Sequence, residues 1–171
     1  TMLGIGERTG NPPLEALVFS YLQLRGHRAG LDTSVITEIG RYFEDNLKVK
    51  IPGNQPFVGA DFNMTRAGIH ADGLLKNEEI YNAIDTQKLL NRPVSIALSD
   101  KSGLSGILLW IKTHIGRGVE LSKNDPGIAK INKWITRQYA HGRSSSISDR
   151  EMLRLVKRYM GKWIKESGFD L

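Results

Sequence analysis

Gly4-Ile5-Gly6-Glu7-Arg8-Thr9-Gly10-Asn11-Pro12-Pro13-Leu14-Glu15 runs a glycine-rich loop straight into a helix start. Gly4, Gly6 and Gly10 permit a tight backbone and close approach to a ligand. Asn11 suits an N-cap, the two prolines suit a first turn that needs no intrahelical N–H, and Glu15 suits the positive helix end. Leu14, Leu17, Val18 and Leu22 then recur at helical spacing until Gly26 stops the run. As a dinucleotide-binding loop the segment fails, because GxGxxG needs glycine where Thr9 stands. Residue types alone leave two readings open: a plain turn before a helix, or a loop that presents a polar side chain to a ligand.

Outward from this start, Leu31-Asp32-Thr33 opens a second helix with the stripe Ile36, Ile39, Phe43 and Leu47. A brief extended stretch near Arg28–Leu31 is the only room for a strand between the two. Residues 48–64 hold two prolines and two glycines and read as a linker. A short helix is expected over Arg66–Leu75, a capped turn at Asp85-Thr86, and a short extended run over Pro93–Leu98. The last third is helical. Ser102–Ile115 is apolar on most faces and should be the most buried element. Gly116-Arg117-Gly118 breaks it, and Asn124-Asp125-Pro126 caps a helix to about Ala140 with Ile128, Ile131, Ile135 and Tyr139 inward. Ser148-Asp149-Arg150-Glu151 is a capping box for a final helix, with Met152, Leu155, Val156, Tyr159, Trp163 and Ile164 inward. Three such helices make a small bundle.

Composition narrows the chemistry. The chain has no cysteine, so disulfides, thiolate nucleophiles and zinc–thiolate sites are excluded. The longest apolar run, Ile107 to Ile111, is too short to span a bilayer. No basic segment followed by a long apolar stretch opens the chain, so a cytoplasmic protein is expected. The net charge of +6 is uneven: residues 1–100 carry 10 Lys/Arg against 12 Asp/Glu, and residues 101–171 carry 14 against 6. The basic half lacks RNP, zinc-finger and GXXG signatures, and its cations fall at solvent-face helical spacing. A solvated helix face is the expected role, with attraction of an anionic cofactor such as CoA second.

A second segment stands out. Arg66-Ala67-Gly68-Ile69-His70-Ala71-Asp72-Gly73 sets a histidine between two glycines, and Tyr81 follows eleven residues on. His70 reads either as a structural histidine or as a proton carrier, and Tyr81 either as a packing residue or as a donor. Proton removal from carbon needs a base near neutral pKa, and an enolate needs hydrogen-bond donors. His27, His114 and His141 have no comparable surroundings and no ligand spacing. Lys101-Ser102-Gly103-Leu104 reads as a helix cap.

Together GIGERTGN and RAGIHADG resemble the late barrel-strand loop and the linker-domain helix of the 2-isopropylmalate synthase family. That family includes homocitrate, citramalate and Re-type citrate synthases, metal-dependent acyltransferases that condense acetyl-CoA with a 2-oxo acid. The resemblance implies a mainly α chain: the last part of a TIM barrel over residues 1–50, a linker subdomain over 51–100 and a C-terminal helical subdomain over 101–171. It implies Asn11 as a metal ligand and His70, Tyr81 and Glu7 as catalytic residues, Glu7 also reading as half of an ion pair with Arg8. An amide oxygen is a neutral, hard ligand. A divalent metal (Mg, Mn or Zn) is implied for the full enzyme, as are a homodimer and small-molecule substrates, with no nucleic acid or membrane partner. The family's first-strand aspartate and arginine and its His-x-His pair are missing from the chain. Condensing activity from the chain alone is therefore not expected, and Leu14, Leu17, Ile36, Ile39 and Phe43 are expected to need covering. The wording from Ala67 to Glu79 leans toward the Re-citrate branch. Rival expectations are a helical interaction module, one subunit of a split synthase, and a nucleic-acid-binding helical domain.

Overall fold

The computed structural model describes residues 1–28, 30–116 and 120–167, so Arg117 and Gly118 of the expected break lie outside the described residues. Its elements are α1 (Leu14–Arg25), α2 (Val35–Asp45), β1 (Met64–Thr65), α3 (Gly68–Lys76), α4 (Thr86–Leu90), β2 (Ser95–Ile96), α5 (Gly103–His114), α6 (Pro126–Ala140) and α7 (Asp149–Ser167). The mainly helical class is as expected. The chain divides into two compact units, one of residues 1–63 and 84–93, the other of 64–83 and 94–171. The return of 84–93 to the first unit follows from tertiary pairing, which no local pattern announces.

In the first unit, α1 begins at Leu14 with Pro13 as its cap residue, so Asn11 is not the N-cap. The reason is steric: Pro13 disfavours helical backbone at Pro12, the residue that would have to open a helix capped by Asn11. Glu15, Phe19 and Leu22 face inward, whereas Leu14 and Leu17 are 44% and 58% exposed. Of the expected stripe, Leu22 is buried and Val18 packs against the core, whereas its first two leucines turn outward, because the buried face is set by the stacking of Phe19 on Phe57 at 4.4 Å. Gly26 ends α1 in the left-handed region (φ 71°), as its position suggested. In α2 the buried residues are Ile36, Thr37 and Gly40, the last in contact with Val58. Thr37 Oγ1 donates to the Leu90 carbonyl at 2.6 Å, and Thr33 Oγ1 donates to the Leu89 carbonyl, so two buried hydroxyls tie α4 down.

The linker of the sequence reading is an ordered loop. Asp61 N–H donates to the Gly53 carbonyl at 2.7 Å and closes it. Gly59 sits against the backbone of residues 52–55 with no space for a Cβ. Arg92 reaches into the loop, its guanidinium donating to the carbonyls of Phe57, Val58, Gly59 and Ala60 at 3.4, 3.1, 2.8 and 3.2 Å. Asn63 Nδ2 donates to the Arg92 and Pro93 carbonyls at 3.1 and 2.9 Å and to Thr86 Oγ1 at 3.3 Å.

The second unit is built on α5, whose Ile107, Trp110 and Ile111 are essentially fully buried. β1 and β2 pair in parallel, Met64 with Ser95 and Thr65 with Ile96, so the short extended run expected near residue 95 finds its partner in former linker. α6 buries Ile128, Ile131 and Ile135 as its spacing requires, and Asp125 Oδ1 accepts from Gly127 N–H at 2.7 Å. α7 departs from its expected face near the end. Met160 has non-helical backbone (φ −129°, ψ 19°) and packs on Gly127, so Met160 is buried while Tyr159 and Trp163 are only half-buried. A kink rotates the following turn, which periodicity cannot anticipate.

The capping box forms: Ser148 N–H donates to Glu151 Oε2 at 2.9 Å, and Ser148 Oγ accepts from Glu151 N–H. Arg143 adds a two-pronged pair to Glu151 at 2.7 and 2.8 Å. This guanidinium, then the Ser148 N–H and hydroxyl, holds the Glu151 carboxyl down at about 2. A depressed carboxyl stabilises the fold above its ordinary value of 4.5 and loses that contribution as pH falls toward 2. Glu151→Gln is therefore expected to cost about 2 kcal/mol at pH 7 and much less near pH 2.5, read by urea unfolding at both pH values. An equal cost at both would refute the assignment.

Candidate functional site

The glycine-rich loop is held at both ends. Leu3 N–H donates to Glu15 Oε2 at 3.1 Å, and Leu14 N–H donates to the Thr1 carbonyl at 2.9 Å. Glu15 is 1% exposed, and its Oε1 has no hydrogen-bond partner. Leu3 and Gly4 have φ of 58° and 70°, which folds the loop back toward α1. Inside it the Asn11 amide N–H donates to the Arg8 carbonyl, and a Cβ at residue 6 would overlap that amide, which explains glycine there. The Asn11 Oδ1 takes no hydrogen bond among the described residues. Glu7 and Arg8 are exposed, and neither enters an ion pair among the described residues.

The second unit brings His70 and Tyr81 together. Their ring centroids lie 4.6 Å apart at 52°. The chain makes this contact through a 3-10 turn over Glu78–Ile80, capped by Asn77, whose Oδ1 accepts from Glu79 N–H at 3.0 Å. Gly73, one turn after His70, is the seat of the phenol: a Cβ there would lie 2.5 Å from Tyr81 Cε2. Both rings are solvent-exposed, with Ile69 and Ile80 exposed beside them.

α3 is pinned so that it can present this pair. Gly68 N–H donates to the Lys101 carbonyl at 2.9 Å, and a Cβ at 68 would lie 2.5 Å from the Ser102 carbonyl oxygen. Ser102 is fully buried; its Oγ donates to the Arg66 carbonyl and accepts from Ser99 N–H, both at 3.0 Å. The serine is thus a bridge between segments rather than a side-chain helix cap. Asp72, two residues after His70, accepts from Lys123 and Ser105 at 2.8 Å each and pairs with Lys76 at 2.7 Å. Those donors, Lys123 foremost, hold its carboxyl well below the usual carboxylate range. Asp72 is therefore a fixed anion that locks α3.

Two features were not legible in the sequence. Trp110 Nε1–H donates to Asp149 Oδ1 at 2.8 Å, His114 Nε2 lies 3.6 Å from the same oxygen, and the two rings stack at 4.3 Å. A cleft of about 200 Å³ opens between Leu74, Leu75, Val94 and Leu109, with Glu78 and Lys112 at its rim. Among the described residues no three His, Cys, Asp or Glu side chains gather as a metal site. No helix among them is long and apolar enough to cross a membrane.

No family model matches the chain. Individual relatives do. Over 162 residues the chain is 53% identical to the citrate (Re)-synthase of Syntrophus aciditrophicus, covering 94% of the chain and 26% of that protein. It is 48% identical over 169 residues to the citrate (Re)-synthase of Clostridium kluyveri, covering 98% of the chain and 37% of that protein. It is 28% identical over 167 residues to the 2-isopropylmalate synthase of Methanocaldococcus jannaschii, covering 97% of the chain and 31% of that protein. The chain thus spans between 26% and 37% of the length of these curated relatives. Near-complete coverage of the chain at about half identity makes it a member of the 2-isopropylmalate synthase family of condensing acyltransferases, to which Re-type citrate synthases belong.

Proposed function

We propose that the chain is the late-barrel and linker portion of an acetyl-CoA-dependent citrate-forming enzyme of the Re type. Identity of 53% and 48% to two citrate (Re)-synthases favours the citrate branch, which makes oxaloacetate the 2-oxo acid. Residues 1–50 are read as a barrel remnant, 51–100 as a linker subdomain and 101–171 as a helical subdomain. The observation that carries this reading is the contact of His70 with Tyr81, seated on Gly73 and open to solvent.

Between them the two side chains offer a ring nitrogen to move the acetyl methyl proton and a phenol O–H to hydrogen-bond the enolate oxygen. Their exposure supports a homodimer in which they reach a barrel of the partner. Asn11 fits a divalent metal as one neutral oxygen donor, since its N–H side is engaged and its oxygen is not. The other donors would come from outside the described residues. Such an ion, when bound, polarises the keto group of the acid. Glu7, exposed on the same loop, is read as a carboxylate beside that donor.

The test is an exchange. Residues 1–171 replace the matching segment of the Clostridium kluyveri enzyme, and CoA release from acetyl-CoA and oxaloacetate is followed. Turnover is expected, and His70→Ala should lower kcat by about 100-fold. Gly73→Ala, which evicts the Tyr81 ring, should lower kcat by about tenfold with circular dichroism unchanged. A folded exchange protein indifferent to His70→Ala overturns the reading. Condensing activity from the 171-residue chain alone overturns its part-enzyme character.

A further inference from the structure

The net charge belongs to one unit. The first unit holds eight Lys/Arg and eight Asp/Glu, whereas the second holds sixteen and ten. Within the second, Arg150, Arg154, Lys157 and Arg158 are all exposed and occupy one stripe of α7, spaced i, i+4, i+7 and i+8. The stripe extends about 12 Å along the helix axis.

Nothing within the described residues neutralises it. Glu151 is taken by Arg143, and Asp149 by Trp110 and His114. Arg154 Nε donates only to the Arg150 carbonyl at 3.3 Å, and Arg158 lies 5.4 Å over the Tyr159 ring. Helix energetics argue against a purely structural purpose. Like charges at i, i+4 (150 with 154, 154 with 158) each cost about 0.2–0.5 kcal/mol. Arg150 also stands in the first turn, where a cation opposes the helix dipole. α6 repeats the arrangement with exposed Lys130, Lys133 and Arg137.

We infer that the outward stripe of α7 binds the phosphates of a small nucleotide-type polyanion, the 3′-phosphate and diphosphate of CoA. The inference rests on the reading above, in which acetyl-CoA is the acyl donor. Three guanidinium groups favour an oxyanion such as phosphate over neutral ligands, because each can bind two oxygens at once. Four cations over about 12 Å match a few clustered phosphates better than a long backbone. The stripe captures and orients the cofactor's nucleotide end and takes no part in the chemistry.

The test uses the full 171-residue chain labelled with 15N. CoA should shift α7 amides at low salt, dephospho-CoA should bind about fivefold more weakly, and acetylpantetheine should leave α7 signals unmoved. The pair Arg154→Glu with Arg158→Glu should weaken CoA binding by about tenfold, and Lys157→Gln by about twofold, with circular dichroism unchanged. If CoA leaves α7 amides in place, or binds the charge-reversed chain equally well, the inference fails. It also fails if a twelve-nucleotide single-stranded RNA binds more than about tenfold tighter than CoA, since the stripe is then a nucleic-acid surface. In the exchange enzyme, charge reversal should raise KM for acetyl-CoA and leave kcat unchanged. Intact KM there sinks the stripe alone, whereas a silent enzyme sinks the citrate-forming reading.

Discussion

Arg92→Ala is expected to lower the unfolding free energy of the first unit by about 3 kcal/mol. One guanidinium satisfies four consecutive carbonyls of residues 57–60, and its face covers the Phe62 ring at 4.7 Å. The loop needs this support. Phe57 holds a φ of 67°, a left-handed backbone conformation that a bulky side chain rarely adopts and that costs about 1–3 kcal/mol. Burial pushes the Arg92 pKa down from its ordinary value, yet the group stays a cation at any pH the protein meets. Arg92→Lys should recover less than half of the loss, because a single ammonium cannot reach carbonyls spread over four residues. Urea unfolding by circular dichroism measures the cost, and hydrogen exchange at residues 57–61 locates it. A change under about 0.5 kcal/mol would show that the carbonyls are equally content with water.

Gly68→Ala is expected to destabilise the second unit by about 2–3 kcal/mol. Helix propensity alone gives the opposite sign, since alanine in a helix is better than glycine by about 1 kcal/mol. The decision lies with the added methyl, which would stand 2.5 Å from the Ser102 carbonyl oxygen. That oxygen belongs to main chain held by the buried Ser102 hydroxyl and by Gly68 N–H donation to Lys101, so it cannot swing aside as a side-chain tip could. The N-terminus of α3 has to move, and His70 moves with it. Tryptophan fluorescence reads the transition, since Trp110, Trp134 and Trp163 all lie in the second unit. A stabilised variant would mean that propensity wins and that the close approach of α3 to residue 102 is not obligatory.

Several helix ends were legible because they carry their own punctuation. Gly26 stops α1, Asp125-Pro126 starts α6, and Ser148 with Glu151 starts α7 through bonds local to a single turn. The stripe Ile128, Ile131 and Ile135 is buried because a 3.6-residue repeat places the three side chains on one line whatever they meet. Where α1 points was not legible. Leu14 and Leu17 on one side compete with Glu15, Phe19 and Leu22 on the other, and the aromatic partner that decides, Phe57, is 38 residues from Phe19 in the sequence. The Met160 kink escaped for a similar reason, since it answers to Gly127 on another helix.

For the site, sequence by itself determined the residue types and the family. GIGERTGN and GIHADG carry their glycines, amide and imidazole in fixed order, and short-range spacing survives any fold. Only the tertiary structure decided what these residues touch. It showed that Gly73 is small so that the Tyr81 ring can lie against His70, and that Asp72 is a bolt between Lys76 and Lys123. It also turned the Asn11 amide back onto its own loop. Contacts of this kind depend on the path of the chain between the partners, and that path is set by packing free energy summed over the whole unit.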